Sequence, residues 1–233
     1  MGEAKERSAA TVFVAELAGT FGLLVAATGS IVYDGGTGSL LGLPFIAAMH
    51  FVGLFVVVFL FGRYSMAHFN PAVTVGFAIS GYVRWRRTPL YVAAQAAGAI
   101  LGSLFVKYVL GEHALLGLNA PNYEYDIFTI FGTEVAATIF LMGGILLIIR
   151  VRNVPALAVA AVVGGIVALD VLFLAPISGA SMNPIRSLSP AILTAIFDDI
   201  WLYIAAPLVG VVIPALIHCV VYRDRIWRQD SSE

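Results

Sequence analysis

Cysteine, histidine and charge are all scarce in this chain of 233 residues. A single cysteine, Cys219, excludes an intrachain disulfide and a cysteine metal cluster. Four histidines leave little for any other metal site, and no cofactor is expected. Charged residues make up only 12% of the chain and apolar residues 60%, against ~25% and ~45–50% in an ordinary soluble domain. With a mean hydropathy of +0.94, that balance excludes a disordered chain, a coiled coil and almost any soluble enzyme. The net charge is −1, with no basic excess, so a nucleic-acid partner is not expected. No Asn-x-Ser/Thr occurs, hence no glycosylation acceptor. Gly2 is present but residue 6 is Glu, which argues against myristoylation. With few extensions, the chain reads as a prokaryotic plasma-membrane protein.

Long apolar runs are abundant. A membrane helix needs about 20 apolar residues, and six stretches qualify: 9–32, 41–61, 89–110, 127–149, 155–175 and 201–222. The first is too long for a signal-peptide core and is read as a span. Two apolar stretches, 70–80 and 183–197, are too short to cross. Charge gives the topology. Lys5, Arg7, Arg63, Arg84, Arg86, Arg87, Arg150, Arg152, Arg223, Arg225 and Arg228 all fall on one side if there are six spans. Only Lys107 and Arg186 do not belong to this set. By the positive-inside rule both termini are cytoplasmic.

The halves repeat. Glu16 and Glu134 are lone carboxylates in the first and fourth spans, and each half later carries an Asn-Pro pair, Asn70-Pro71 or Asn183-Pro184. Three spans per half is odd, so the halves insert with opposite polarity, an arrangement that places a solute path at the midplane between them. This predicts an all-α membrane protein of six transmembrane helices plus two re-entrant half-helices. Residues 1–233 form a single domain, with one repeat over about 9–110 and the other over about 127–222. Asn is a favoured helix N-cap and Pro suits the first turn. Each pair therefore starts a half-helix whose positive end faces the membrane centre. Met66, Ala67 and His68, with Gly179, Ala180 and Ser181, precede the two Asn residues and offer carbonyl acceptors.

These motifs carry a resemblance. Ala15-Glu16-Leu17-Ala18-Gly19-Thr20-Phe21, Ala67-His68-Phe69-Asn70-Pro71-Ala72-Val73-Thr74, Ala94-Gln95-Ala96-Ala97-Gly98-Ala99 and Ser178-Gly179-Ala180-Ser181-Met182-Asn183-Pro184 resemble the aquaporins, the major intrinsic protein family. Essentially the whole chain is covered. The second motif departs, reading Asn-Pro-Ile (Ile185) where Asn-Pro-Ala is usual. The resemblance implies that Asn70 and Asn183 donate to passing water at the pore midplane. It implies that Glu16 and Glu134 brace the re-entrant loops rather than relay protons, and that the chain forms a homotetramer. Family offsets from the two Asn residues give a selectivity filter of His50, Val171, Ala180 and Arg186. A His on the second span with an aliphatic partner resembles the plant tonoplast branch, and implies a filter wide enough for ammonia or other small neutral solutes. Glycerol facilitators carry Asp after the motif Arg; here Ser187 follows, and Ala191 stands four further on, as in water channels. The expected function is a passive water channel that excludes ions and protons. The alternative is a glycerol or small-polyol facilitator, and an ion-coupled transporter is disfavoured because few intramembrane charges are spare. No catalytic triad, metal-ligand spacing or nucleotide loop supports an enzyme.

Four readings stay open. His68 either braces its loop or lines the pore. Asp170, in an otherwise apolar span beside Val171, is read as facing a neighbouring helix or subunit, with a pairing to His50 as the hypothesis. Ala94, Gly98 and Gly102 serve packing within one chain or between chains. His218 is read as a satisfied packing residue.

Overall fold

The computed structural model describes residues 7–226, with side chains up to Tyr222. Lys5, Arg228, Gly2 and Glu6, weighed above, lie outside the described residues. Six helices long and apolar enough to cross a membrane are present. Together with two short ones they run as α1 (Ala9–Gly36), α2 (Gly42–Ser65), α3 (Pro71–Ile79), α4 (Thr88–Leu110), α5 (Ile127–Ile148), α6 (Ala156–Ser178), α7 (Pro184–Thr194) and α8 (Ile200–Ile226). The two short apolar stretches are the half-helices α3 and α7. Two spans extend past their apolar runs, α1 to Gly36 and α6 to Ser178, where α6 ends on the left-handed Gly179.

The packing follows the repeat: α1 lies on α4 and on α2, α5 on α8 and on α6, and α2 meets α6 between the halves. Lipid is as apolar as leucine, so close backbone approach rather than hydrophobic burial must hold such helices together. Glycine provides it. A Cβ on Gly98 would stand 2.3 Å from the Leu17 carbonyl oxygen, and one on Gly102 2.8 Å from Leu24 Cβ. In the other half, a Cβ on Gly210 would stand 2.7 Å from the Val135 carbonyl oxygen. Gly98 and Gly102 therefore pack α4 on α1 within one chain. Large apolar side chains such as Val14, Phe59, Phe128, Leu147 and Phe173 point outward and are exposed, as a lipid-facing surface requires.

Polar residues fix the ends. Asp34 is buried, and its Oδ1 accepts from the amides of Leu41 (2.8 Å) and Gly42 (3.0 Å), capping α2 from outside the helix. Asp126 caps α5 by accepting from the Phe128 and Thr129 amides, and the Thr129 hydroxyl and these amides hold its carboxyl below the usual range. Lys107 forms an ion pair with Glu112 at 2.7 Å. Between α4 and α5, Ala114, Leu115 and Leu116 adopt successive left-handed conformations (φ 46°, 50° and 56°), and Leu116 is buried as the anchor.

Candidate functional site

The two re-entrant loops are copies of each other, related by an offset of 113 residues (65 + 113 = 178). Each begins with a serine and ends with the capping asparagine. Glu16 gathers the first loop: Oε1 accepts from Ser65 Oγ (2.6 Å) and the His68 amide (2.9 Å), and Oε2 from the Phe69 amide (2.8 Å) and Gln95 Nε2 (2.8 Å). Glu134 gathers the second: Oε1 accepts from Ser178 Oγ (2.8 Å) and the Ser181 amide (2.9 Å), and Oε2 from the Met182 amide (3.0 Å). The same loop positions take positive φ in both, Met66, Ala67 and Phe69 against Gly179, Ala180 and Met182. A buried carboxylate with three or four donors is satisfied without a partner cation.

The caps form as their residue types dictate. Asn70 Oδ1 accepts from the Ala72 amide (2.8 Å), and Asn183 Oδ1 from the Ile185 amide (3.2 Å). Each Asn also reaches into the other half: Asn70 Nδ2 donates to the Met182 carbonyl (2.7 Å) and Asn183 Nδ2 to the Phe69 carbonyl (2.9 Å). These bonds pin the two loops tip to tip. An amide NH2 has two donors, so each Asn keeps one hydrogen for a solute. Ile185 leaves this arrangement intact and is itself buried among apolar side chains.

A cavity with about 50 Å³ of water-accessible space lies between the halves, room for roughly four waters at about 10–15 Å³ each. Its lining obeys the repeat. Leu23 and Ala27 of α1 match Leu141 and Ile145 of α5, and Leu54 of α2 matches Val167 of α6. Ala67, His68 and Asn70 match Ala180, Ser181 and Asn183. Two members break the symmetry: His50 stands where the other half has Val163, and Arg186 where it has Val73. One end of the cavity is therefore polar and cationic while the other is aliphatic.

The expected filter residues are only partly brought together. His50, Ala180 and Arg186 line the cavity, whereas Val171 is buried beyond it and Val167, one turn nearer the centre, takes the lining place on α6. Of the expected ladder, Ala67, His68 and Ser181 line the cavity. Among the described residues, no protein donor reaches the carbonyls of Ala67, His68, Ala180 or Ser181, so these four are free to accept from solute. The Gly179 carbonyl is not free, because Asn119 Nδ2 donates to it at 2.8 Å. Met66, 40% exposed, lies outside the lining.

His68 is at once packed and placed against the cavity. Its ring is clamped between Phe77 (4.5 Å) and Tyr91 (4.3 Å) with Nδ1 3.0 Å from Thr74 Oγ1, and the residue lines the cavity. The pairing of Asp170 with His50 does not form. His50 Nδ1 instead bonds the Ile46 carbonyl at 2.8 Å, one turn back along its own helix. Asp170 is buried, and its Oδ2 has no hydrogen-bond partner.

Sequence reasoning missed the holder of Arg186. The left-handed turn after α4 drops residues 117–119 onto α7. Arg186 Nη1 donates to the Gly117 carbonyl (2.8 Å) and to Asn119 Oδ1, which also accepts from Ser187 Oγ (2.7 Å). One asparagine thus joins the Arg, the half-helix and, through the Gly179 carbonyl, the re-entrant loop. No periodicity marks it, since it sits in an irregular loop.

Inverted three-helix repeats, opposed half-helices and a cavity between them define a membrane transport fold. Residues 3–218 match the description "Major intrinsic protein". Aquaporin NIP1-2 of Oryza sativa subsp. japonica is 34% identical over 86% of this chain and 68% of its own length. Nodulin-26 of Glycine max is 34% identical over 91% and 78%. The X-ray structure of the aquaglyceroporin from Plasmodium falciparum shares the fold with a TM-score of 0.83 at 23% identity, covering 93% of this chain and 98% of that one. The chain belongs to the major intrinsic protein family, the aquaporins. It is a multi-pass membrane channel for small neutral solutes and not an enzyme. The two relatives matched by sequence are plant proteins, so they support neither the tonoplast likeness of the filter nor a prokaryotic source.

Proposed function

We propose that the protein is a passive water channel that excludes ions and protons and also admits ammonia or other small neutral solutes. The observation that carries this reading is the asymmetric cavity. Fixed positive charge from Arg186 at one end, with two half-helix starts at the centre, opposes cations, because the positive ends of half-helix dipoles raise the barrier to a cation. The free carbonyls and the spare Asn70 and Asn183 hydrogens replace the hydrogen bonds that water leaves behind. His50, Ala180 and Arg186 form the filter, completed from α6 by Val171 or Val167. Aliphatic and methyl walls at those positions leave more room than aromatic ones would. Both termini face the cytoplasm, given the basic residues on that side, and four copies assemble around separate pores.

One observation favours a second reading. A filter with two small aliphatic members also suits glycerol, the named specificity of the structural relative from Plasmodium falciparum. Ser187, which bonds Asn119 rather than facing solute, argues for water. Stopped-flow light scattering on proteoliposomes separates them. Fast shrinkage in an impermeant osmolyte with slow glycerol re-entry is the expected result. Fast re-entry makes the protein a polyol facilitator, and no acceleration over empty vesicles overturns the channel reading.

A further inference from the structure

The end of the bundle that carries the termini holds a cluster outside the filter. His218, in the last turns of α8, is buried. Its Nε2 lies 3.2 Å from Tyr82 Oη, in the segment after α3, and 3.4 Å from Arg150 Nη1, just past α5. The Arg150 guanidinium in turn lies 3.2 Å over the centre of the Tyr222 ring, and that ring is 5.0 Å from His218. Two other segments, the one after α3 and the one after α5, therefore converge on one imidazole nitrogen of α8. The titratable and charged groups around it are Tyr82, Arg150 and Tyr222, with Cys219 beside it donating instead to the Ile79 carbonyl (3.0 Å). Among the described residues no carboxylate bonds to it.

A guanidinium can only donate. The Arg150 contact therefore requires Nε2 to accept, which only a neutral imidazole allows. Protonation places an N–H and a positive charge on the atom that Arg150 approaches. The bond is lost, and two cations then face each other at contact distance. Arg150 lies in the turn after α5, five residues past the cavity-lining Ile145. From Tyr82 the ring contacts continue through Phe77 (5.7 Å) to His68 (4.5 Å), which lines the cavity from the other half. Both routes end on walls of the same cavity.

We propose that His218 is a proton-operated latch. Neutral, it ties the α5–α6 connection to α8; protonated, it releases Arg150 and alters water passage. The second clause rests on the channel reading above; the first does not.

The test uses the full chain in vesicles with the same pH on both sides. Hydrogen exchange of the α5–α6 connection is measured with permeability between about pH 7.5 and about pH 5, the range a histidine spans. Protection of residues 147–155, corrected for the intrinsic rate, is expected to fall about tenfold on acidification, the scale of losing a hydrogen bond to a charged group. Water permeability is expected to change at least about twofold with the same midpoint. His218→Gln keeps an acceptor but cannot titrate, and should be flat in both. His218→Lys carries a fixed charge and should show the acid behaviour at about pH 7.5. Wild-type protection that ignores pH, or a dependence that survives in His218→Gln, overturns the latch. Protection that changes while an active channel's permeability stays constant overturns its control of the pore. Vesicles that pass no water at any pH overturn the channel reading alone, because the exchange measurement still reports on the latch.

Discussion

Asn119 carries more of the filter's geometry than its place in a loop suggests. Its Oδ1 accepts from Arg186 and Ser187 while its Nδ2 holds the Gly179 carbonyl. Asn119→Ala removes all three bonds and leaves Arg186 with the Gly117 carbonyl alone. Losing a hydrogen bond to a buried charge costs about 1.5–3 kcal/mol. The expected result is a lower thermal midpoint and a higher glycerol-to-water permeability ratio, because the guanidinium no longer holds one position. An unchanged ratio would mean that the Gly117 carbonyl suffices. The contrast with Asn70 and Asn183 shows what a sequence can reveal. Those two were legible because an Asn-Pro pair has one local meaning, a capped helix start, and the second copy removed chance. Asn119 makes equally important bonds but to residues 60 and more positions away, and the turn that delivers it depends on non-glycine residues at positive φ, which no composition rule foresees.

At the scale of elements, the spans were legible because lipid demands length and apolarity together, and the half-helices because they were too short to cross. What was not legible is which small residues mark contacts. Gly98 lies against the Leu17 backbone, and Gly165, a glycine of α6, has nothing within 4 Å of an added Cβ. Spacing alone cannot separate them. Gly98→Ala pushes a methyl into a carbonyl that cannot step aside, so α4 must move off α1. Overpacking of this kind costs about 1–3 kcal/mol. Gly165→Ala meets open space and gains helix propensity, up to about 1 kcal/mol. Opposite shifts of the thermal midpoint in detergent are expected, and equal shifts would refute the assignment of Gly98 to the α1–α4 contact.

At the scale of the whole molecule, an inverted repeat makes a symmetric conduit, and direction-specific chemistry must come from positions that break the symmetry. Here His50 and Arg186 do so, replacing Val163 and Val73 of the opposite half. Leu54 and Val167 keep the symmetry, each one turn further along its helix than His50 and Val163, and both line the cavity. That register places Val167 on the wall of this cavity. The family offset selects Val171, and the four positions between it and Val167 are close to one full turn, so the two residues share a face of α6 at different depths. Enlarging each in turn separates the alternatives. Val167→Phe adds a ring to a cavity of about 50 Å³, and should reduce osmotic water permeability to near that of empty vesicles while the protein remains folded. Val171→Phe is aimed at a buried position outside the cavity lining. It should cost stability, of order 1–3 kcal/mol for overpacking, yet leave the permeability of the folded fraction largely intact. The reverse pattern, with Val171→Phe blocking and Val167→Phe conducting, would place the α6 contribution to the filter one turn nearer the outer mouth and return the constriction to His50, Val171, Ala180 and Arg186.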